Sequence, residues 1–416
     1  PRKSKEANST MRGFAGLRVF SNRGASRRTG FTLLEMMVAL AAGALVITTV
    51  YTISASASRH FQEQQRISQL QLSLRLALDR LRRDIARAGL HATMDSLIDR
   101  NCGQPPQRVR GLEVIDRSPV SMAALRSMTG FAEGNGTHGD QLRVTGNFRT
   151  GDAYLVRDWV GNQLRLATQF LAFRRSFTAD PNTGAIDPEL FARTFAPGTA
   201  IMVRLGAGLR AWGAVDRAIA SADGQNATIM TARNAPNCMG QVGLEGWFQG
   251  GATVAPISTV EYGIINAVAP PAGRPPLAEL QPRDPQVTGP NTVLVRTELN
   301  PLTGEVITGP TPILEYAIHF DVDVVVDVGV GNQPVQLQLF DDAMAQQQTR
   351  DAPANIRGVR ISLAARTPEQ DPRVSPNIAP LPDGTPRVFQ VFADRVGAAR
   401  VRSVYTEVFL PNSALR

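Results

Sequence analysis

Between Met36 and Ser58 no residue carries a charge. As a helix, a run of that length crosses the roughly 30 Å hydrocarbon core of a bilayer at about 1.5 Å per residue. Beyond it the apolar positions narrow to one stripe: Ile67, Leu70, Leu74, Leu78, Leu81, Ile85 and Ala88 recur three and four residues apart. Gln62, Glu63, Gln65, Arg66, Gln69, Arg75, Arg82 and Arg83 fill the other faces. Asp79 with Arg83, and Asp84 with Arg87, are acid-before-base pairs at helical spacing, and Gly89 stands where a left-handed C-cap belongs. No proline interrupts Phe31–Ala88, so the pattern predicts one helix, apolar all round in its first half and on one stripe in its second. A coiled-coil stalk is the alternative for the second half; it is disfavoured because the charges settle into no regular flanking positions.

From about His91 to Arg416 the period changes to two, in short runs bounded by Gly, Pro, Asn and Asp. The clearest is 318–327, with Ile318, Phe320, Val322, Val324 and Val326 on one face and His319, Asp321, Asp323 and Asp327 on the other. Val335, Leu337 and Leu339 repeat the alternation after a turn at 329–333, which predicts a hairpin. Further strands are expected near 141–145, 153–159, 163–168, 200–205, 211–219, 227–231, 253–265, 292–299, 359–363, 388–392 and 401–410. Prolines crowd 269–290, read as a surface loop inserted between paired strands rather than a domain boundary. No internal repeat is present.

Charge adds an orientation. Residues 1–30 hold Arg2, Lys3, Lys5, Arg12, Arg18, Arg23, Arg27 and Arg28 against Glu6 alone, so most of the net charge of +8 lies there. The remainder is close to neutral, without the basic–aromatic interleaving of a nucleic-acid surface. Basic residues flanking an apolar segment stay cytoplasmic, which places everything after Ser58 across the membrane. The sequence opens on Pro1, with Met11 a candidate start. Glu35 is the anomaly, a lone carboxylate at the head of an insertion segment that needs a partner. A cut between Gly30 and Phe31 would create an α-ammonium four residues before it, and in an assembly of such helices each Glu35 could pair with a neighbour's amino terminus.

Arg27-Arg28-Thr29-Gly30-Phe31-Thr32-Leu33-Leu34-Glu35-Met36, followed by the apolar run, resembles the class III signal of type IV prepilins. The resemblance implies a dedicated prepilin peptidase that cuts after Gly30 and methylates Phe31, with Glu35 setting register. Leu76–Gly89, ending Arg-Asp-Ile-Ala-Arg-Ala-Gly, is similar to the helix end of PilW-type minor pilins, and 357–363 and 402–412 resemble their last strands. The proline that many major pilins carry late in the apolar run is missing, with Thr48, Thr49 and Thr52 there instead. The expected fold is α+β and type IV pilin-like. A leader covers 1–30, a transmembrane and pilin helix 31–90, and an extracytoplasmic β-rich domain 91–416. The implied role is assembly near the filament tip, from the inner membrane. The implied partners are other minor pilins, the major pilin and the assembly platform, with no nucleic acid, small-molecule substrate or cofactor. The alternatives are a type II secretion minor pseudopilin of the J type and a pilus-borne adhesin or DNA-uptake receptor.

Little else suggests chemistry. Cys102 and Cys238 form an even pair in an oxidising compartment, which favours a bridge over two free thiols. His60, His91, His138 and His319 are scattered, and with two distant cysteines they make no zinc site. Asp180, Asn182 and Asp187 place oxygens at calcium-loop-like positions, but no acid stands in register at the twelfth, and a plain turn is preferred. Asp321, Asp323 and Asp327 could take a cation, Arg357 or Arg360, or water; solvation is the default. No G-x-S-x-G, H-E-x-x-H or phosphate-binding glycine loop appears, so association rather than catalysis is expected.

Overall fold

The computed structural model describes residues 31–94, 109–116, 138–180, 185–205, 210–221, 223–232, 251–268, 277–280, 285–289, 291–329, 334–382, 385–392 and 394–411. Its first element is helix α1 (Leu33–Ile85). Thr32 starts it: Oγ1 accepts the Glu35 backbone N–H and the carbonyl accepts that of Met36, both at 3.2 Å. Thr32-Leu33-Leu34-Glu35 has capping-box spacing, and a first-turn carboxylate suits the positive end of the helix dipole. The chain divides into two units, one ending at Glu63 and one running from Gln64 to Arg416. In the first, Leu33, Leu40, Leu45, Ile47 and Ile53 are all at least 69% exposed. The hydroxyls of Thr48, Thr49 and Thr52 donate to the carbonyls of Ala44, Val46 and Thr49 at 2.8–2.9 Å. The helix itself therefore satisfies these three threonine hydroxyls.

In the second unit the stripe lies where its spacing predicts: Leu74, Leu81, Ile85 and Ala88 are buried together with Ala77. The helical span ends three residues short of Ala88, and tight bonds from Arg87 N–H to Asp84 O and from Ala88 N–H to Ile85 O close it. Gly89 is left-handed (φ 69°), but its N–H donates to Thr145 O, outside the helix, at 2.9 Å. The expected acid–base pairs are replaced. Arg83 Nε donates to the Asp79 carbonyl at 3.1 Å. Asp84 points inward because it occupies the stripe, three residues past Leu81.

The strands follow in order: β1 (Leu112–Ile115), β2 (His138–Gly139), β3 (Gln141–Gly146), β4 (Tyr154–Val160), β5 (Gln163–Leu166), β6 (Thr178–Asp180), β7 (Ala185–Ile186), β8 (Ala200–Leu205) and β9 (Arg210–Ala220). After them come β10 (Ala227–Thr231), β11 (Ala252–Asn266), β12 (Thr292–Leu299), β13 (Val306–Glu315), β14 (Ala317–Asp327), β15 (Leu337–Phe340), β16 (Ile356–Arg366), β17 (Val388–Phe389) and β18 (Ala399–Phe409). β11 organises the first sheet. Its residues Ala252–Val254 pair with β4 on one side and β8 on the other, closing β4-β5-β10-β9-β8 into a ring. Farther along, Ser258–Gly263 pair with β3 and Thr259–Asn266 with β12, so the same strand becomes the middle of an open sheet, β1-β3-β11-β12-β13. Pro256, which has no N–H to give, falls where β4 has ended and β3 has not begun. The proline-rich stretch thus joins two strands that are antiparallel neighbours.

Helices α2 (Leu171–Phe177) and α3 (Pro188–Thr194) bring Phe173, Phe177 and Phe191, with Phe195 just beyond, to Tyr154 and to one another in the ring's core. The second sheet runs β15-β14-β16-β18-β17 and contains the expected β14–β15 hairpin. Phe320, Val322 and Val359 from this sheet, and Leu142, Val144 and Val260 from the open sheet, share a buried cluster with Leu74, Leu81 and Ile85. Ile318 departs from its expected face. A register shift between Ala317 and His319 resets the alternation, and Ile318 packs with Ala364, Phe389 and Val401 in a separate cluster. Helix α4 (Asp342–Asp351) lies against β1, where Thr349 Oγ1 accepts the Val114 N–H at 3.4 Å.

Candidate functional site

Phe31 and Thr32 precede the helix. Gly30 lies outside the described residues. Phe31 is 81% exposed, and Glu35 is also exposed, its side chain held by no partner within its own chain among the described residues. Thr32 was not among the expected site residues. The Thr-x-x-Glu spacing was the signal for its capping role.

A second constellation locks the far end of the helix. Asp84 Oδ2 accepts the Tyr262 hydroxyl at 2.7 Å and Arg296 Nε at 2.8 Å. The Asp84 and Arg296 side chains keep only 9% and 13% of their exposure. Burial first, then the adjacent Asp84 charge, pushes the Tyr262 phenol well above its ordinary value, so it is a permanent donor. Tyr262 is on β11 and Arg296 on β12, so one helical carboxylate ties α1 to two neighbouring strands of the open sheet. Just beyond, the chain packs backbone to backbone on β3: Asn147 N–H donates to Leu90 O at 2.9 Å, and a Cβ on Gly146 would stand 2.4 Å from the Arg87 carbonyl. Only glycine permits that approach.

The other predicted positions are structural or lie elsewhere. Cys102, Cys238 and Asn182 are outside the described residues. Asp180 closes the small β6–β7 hairpin through its backbone. Asp187 caps α3, its Oδ1 accepting the N–H groups of Glu189 and Leu190 at 2.9 Å. Solvation does not describe the β14 acids. Asp323 is buried and pairs across the strands with Arg360 at 2.6 Å, and Asp327 meets Arg357 at 3.4 Å. Burial raises the Asp323 pKa despite Arg360. The reading also missed Arg366, fully buried beside Tyr316 and Phe389. Its guanidinium donates to the carbonyls of Thr367, Pro368 and Thr288 at 2.7–3.0 Å, and burial pushes its pKa down to about 10. Among the described residues no group of three or more His, Cys, Asp or Glu is placed to hold a metal ion.

Residues 25–51 match the family model of the prokaryotic N-terminal methylation motif. Among solved structures, a type IV-like pilin from Thermus thermophilus matches at 12% identity over 54% of this chain and 93% of that one. Its TM-score of 0.17 is too low to establish a shared fold. No match is found among curated proteins. The motif covers the predicted cleavage junction, Thr32, Glu35 and the start of the apolar run. The chain thus combines a prepilin-type N-terminal methylation motif, one helix among the described residues long and apolar enough to cross a membrane, and an α+β body.

Proposed function

We propose that this chain is a PilW-like minor subunit of a type IV pilus, held in the inner membrane with its β-rich body outside the cytoplasm until it joins a filament near the tip. The match of residues 25–51 to the methylation motif carries the reading. Two further observations support it. The apolar half of α1 is exposed on all faces, so it needs lipid or other helices around it. Glu35 heads that half with no partner of its own, and an α-ammonium on a neighbouring subunit's Phe31 would supply one. The work of such a subunit is association with other pilins.

Because Glu35 also occupies the capping-box position, two substitutions are needed to separate its roles. Gln removes the charge but keeps the capacity to reach back to the Thr32 N–H, a bond the Glu35 side chain does not make among the described residues, whereas Val removes both. If charge pairing drives assembly, Glu35→Gln and Glu35→Val both insert normally and both fail to co-purify with partner pilins. Normal co-purification of Glu35→Gln, with only Glu35→Val impaired, would reduce Glu35 to a helix cap and remove the assembly role.

A further inference from the structure

Most sheet edges of the body are closed to a further strand. β4-β5-β10-β9-β8 is ringed by β11, β1 lies against α4, β13 carries Pro310 and Pro312 with three register shifts, and β15 is four residues long. These are devices that blunt an edge. β18 is long and free of proline. It pairs with β16 without a register shift from Val401 to Phe409, and among the described residues β17 covers its other edge at Ala399 and Arg400 alone. The alternation of hydrogen bonds fixes what is left open. Thr367 N–H donates to Arg400 O and Leu410 N–H to Arg357 O, both at 2.9 Å, so the even-numbered residues from Arg400 to Leu410 face β16. Ser403, Tyr405, Glu407 and Phe409 therefore aim their N–H and C=O groups at the free edge. Their side chains stand on the solvent face, Tyr405 80% and Phe409 64% exposed. On the core face Val404 and Thr406 are only half-buried, although Val404 packs against the buried cluster to which Val408 belongs.

We propose that the free edge of β18 is a docking site for an extended segment of another protein, added as an antiparallel strand, that carries a basic residue opposite Glu407 and an aromatic or large aliphatic residue two positions to either side of it. Such a strand supplies partners for the open backbone groups of Ser403, Tyr405, Glu407 and Phe409 and completes the burial of Val404 and Thr406. The side chains select it. Glu407 is exposed, makes no ion pair, and stands between Tyr405 and Phe409 on one face, where an opposite charge and apolar rings directly across the ladder are each favourable. A second copy of β18 is the poorer fit, because residues 403–409 offer Glu407 no basic partner. The inference is independent of how the N-terminus is processed.

The test titrates the detergent-solubilised full chain with a labelled peptide of core Phe-Val-Arg-Val-Phe, followed by fluorescence anisotropy and by amide hydrogen exchange. Saturable binding is expected, with the N–H groups of Ser403, Tyr405, Glu407 and Phe409 gaining protection. A peptide with Glu in place of Arg should bind about fivefold more weakly. One N-methylated at its Phe and Arg residues cannot pair with the edge and should not bind saturably. Glu407→Arg, an exposed substitution, should reverse the preference between the Arg and Glu peptides. Absence of saturable binding, equal binding by the N-methylated peptide, protection elsewhere than on β18, or an unchanged preference in Glu407→Arg would each overturn the site. A dimer in sedimentation that protects the same N–H groups would assign the edge to a second copy and overturn it as well. Exchange in the unmodified chain decides the matter even if Glu407→Arg fails to fold.

Discussion

Up to Glu63, α1 exposes Leu40, Leu45, Ile47 and Ile53 and carries the hydroxyls of Thr48, Thr49 and Thr52 on its own carbonyls; from Gln64 on, it buries Leu74, Ala77, Leu81 and Ile85 and hands a carboxylate to two strands. The first part satisfies those hydroxyls by itself and leaves its apolar groups unpaired. In the second part both kinds of group are committed within the body. The proposed passage from lipid into a filament would use this division, because only the uncommitted part can exchange one apolar environment for another.

The largest expected effect comes from breaking the lock. Asp84→Ala leaves the Tyr262 hydroxyl and the Arg296 guanidinium buried without their shared acceptor and should cost about 3–5 kcal/mol. Denaturant unfolding of the solubilised chain measures this, and a loss below about 1 kcal/mol would show that the lock is dispensable. Next comes a matched pair of truncations. Leu81→Ala, in the buried cluster, should cost about 2–5 kcal/mol, whereas Leu45→Ala, 69% exposed, should leave body stability within about 0.5 kcal/mol. Equal effects would erase the contrast between the two parts. The smallest concerns Thr48, whose hydroxyl is already bonded to Ala44 O at 2.8 Å. Thr48→Val should change membrane insertion by less than about 0.5 kcal/mol in a glycosylation-mapping assay, and a larger gain would mean that the hydroxyl is not satisfied by the helix.

The parts of this fold written in local periodicity were legible. The helix, its stripe and most long strands follow from spacings of 3.6 and 2, and Asp84 could have been placed on the stripe by the same count that placed Leu81. Phe173 with Phe177, and Phe191 with Phe195, were i, i+4 signals for two short helices that the reading overlooked. What local pattern does not contain is pairing. A one-residue irregularity moved Ile318 to another cluster, Pro310 and Pro312 disguised β13, and nothing within β11 shows that its two ends belong to a ring and to an open sheet. At the site, the motif exposed Glu35, but the meeting of Tyr262 and Arg296 at Asp84 exists only once β11 and β12 are in register.

The central claim, a processed prepilin-type helix, is tested most directly by the mass of the N-terminal peptide of the native protein in membrane or pilus fractions. The account predicts a chain that begins at Phe31 with a methylated α-amino group, and a precursor that stays uncut when Gly30 is replaced by a bulky residue. An intact leader in the native protein, or a terminus beyond Glu35, would contradict it.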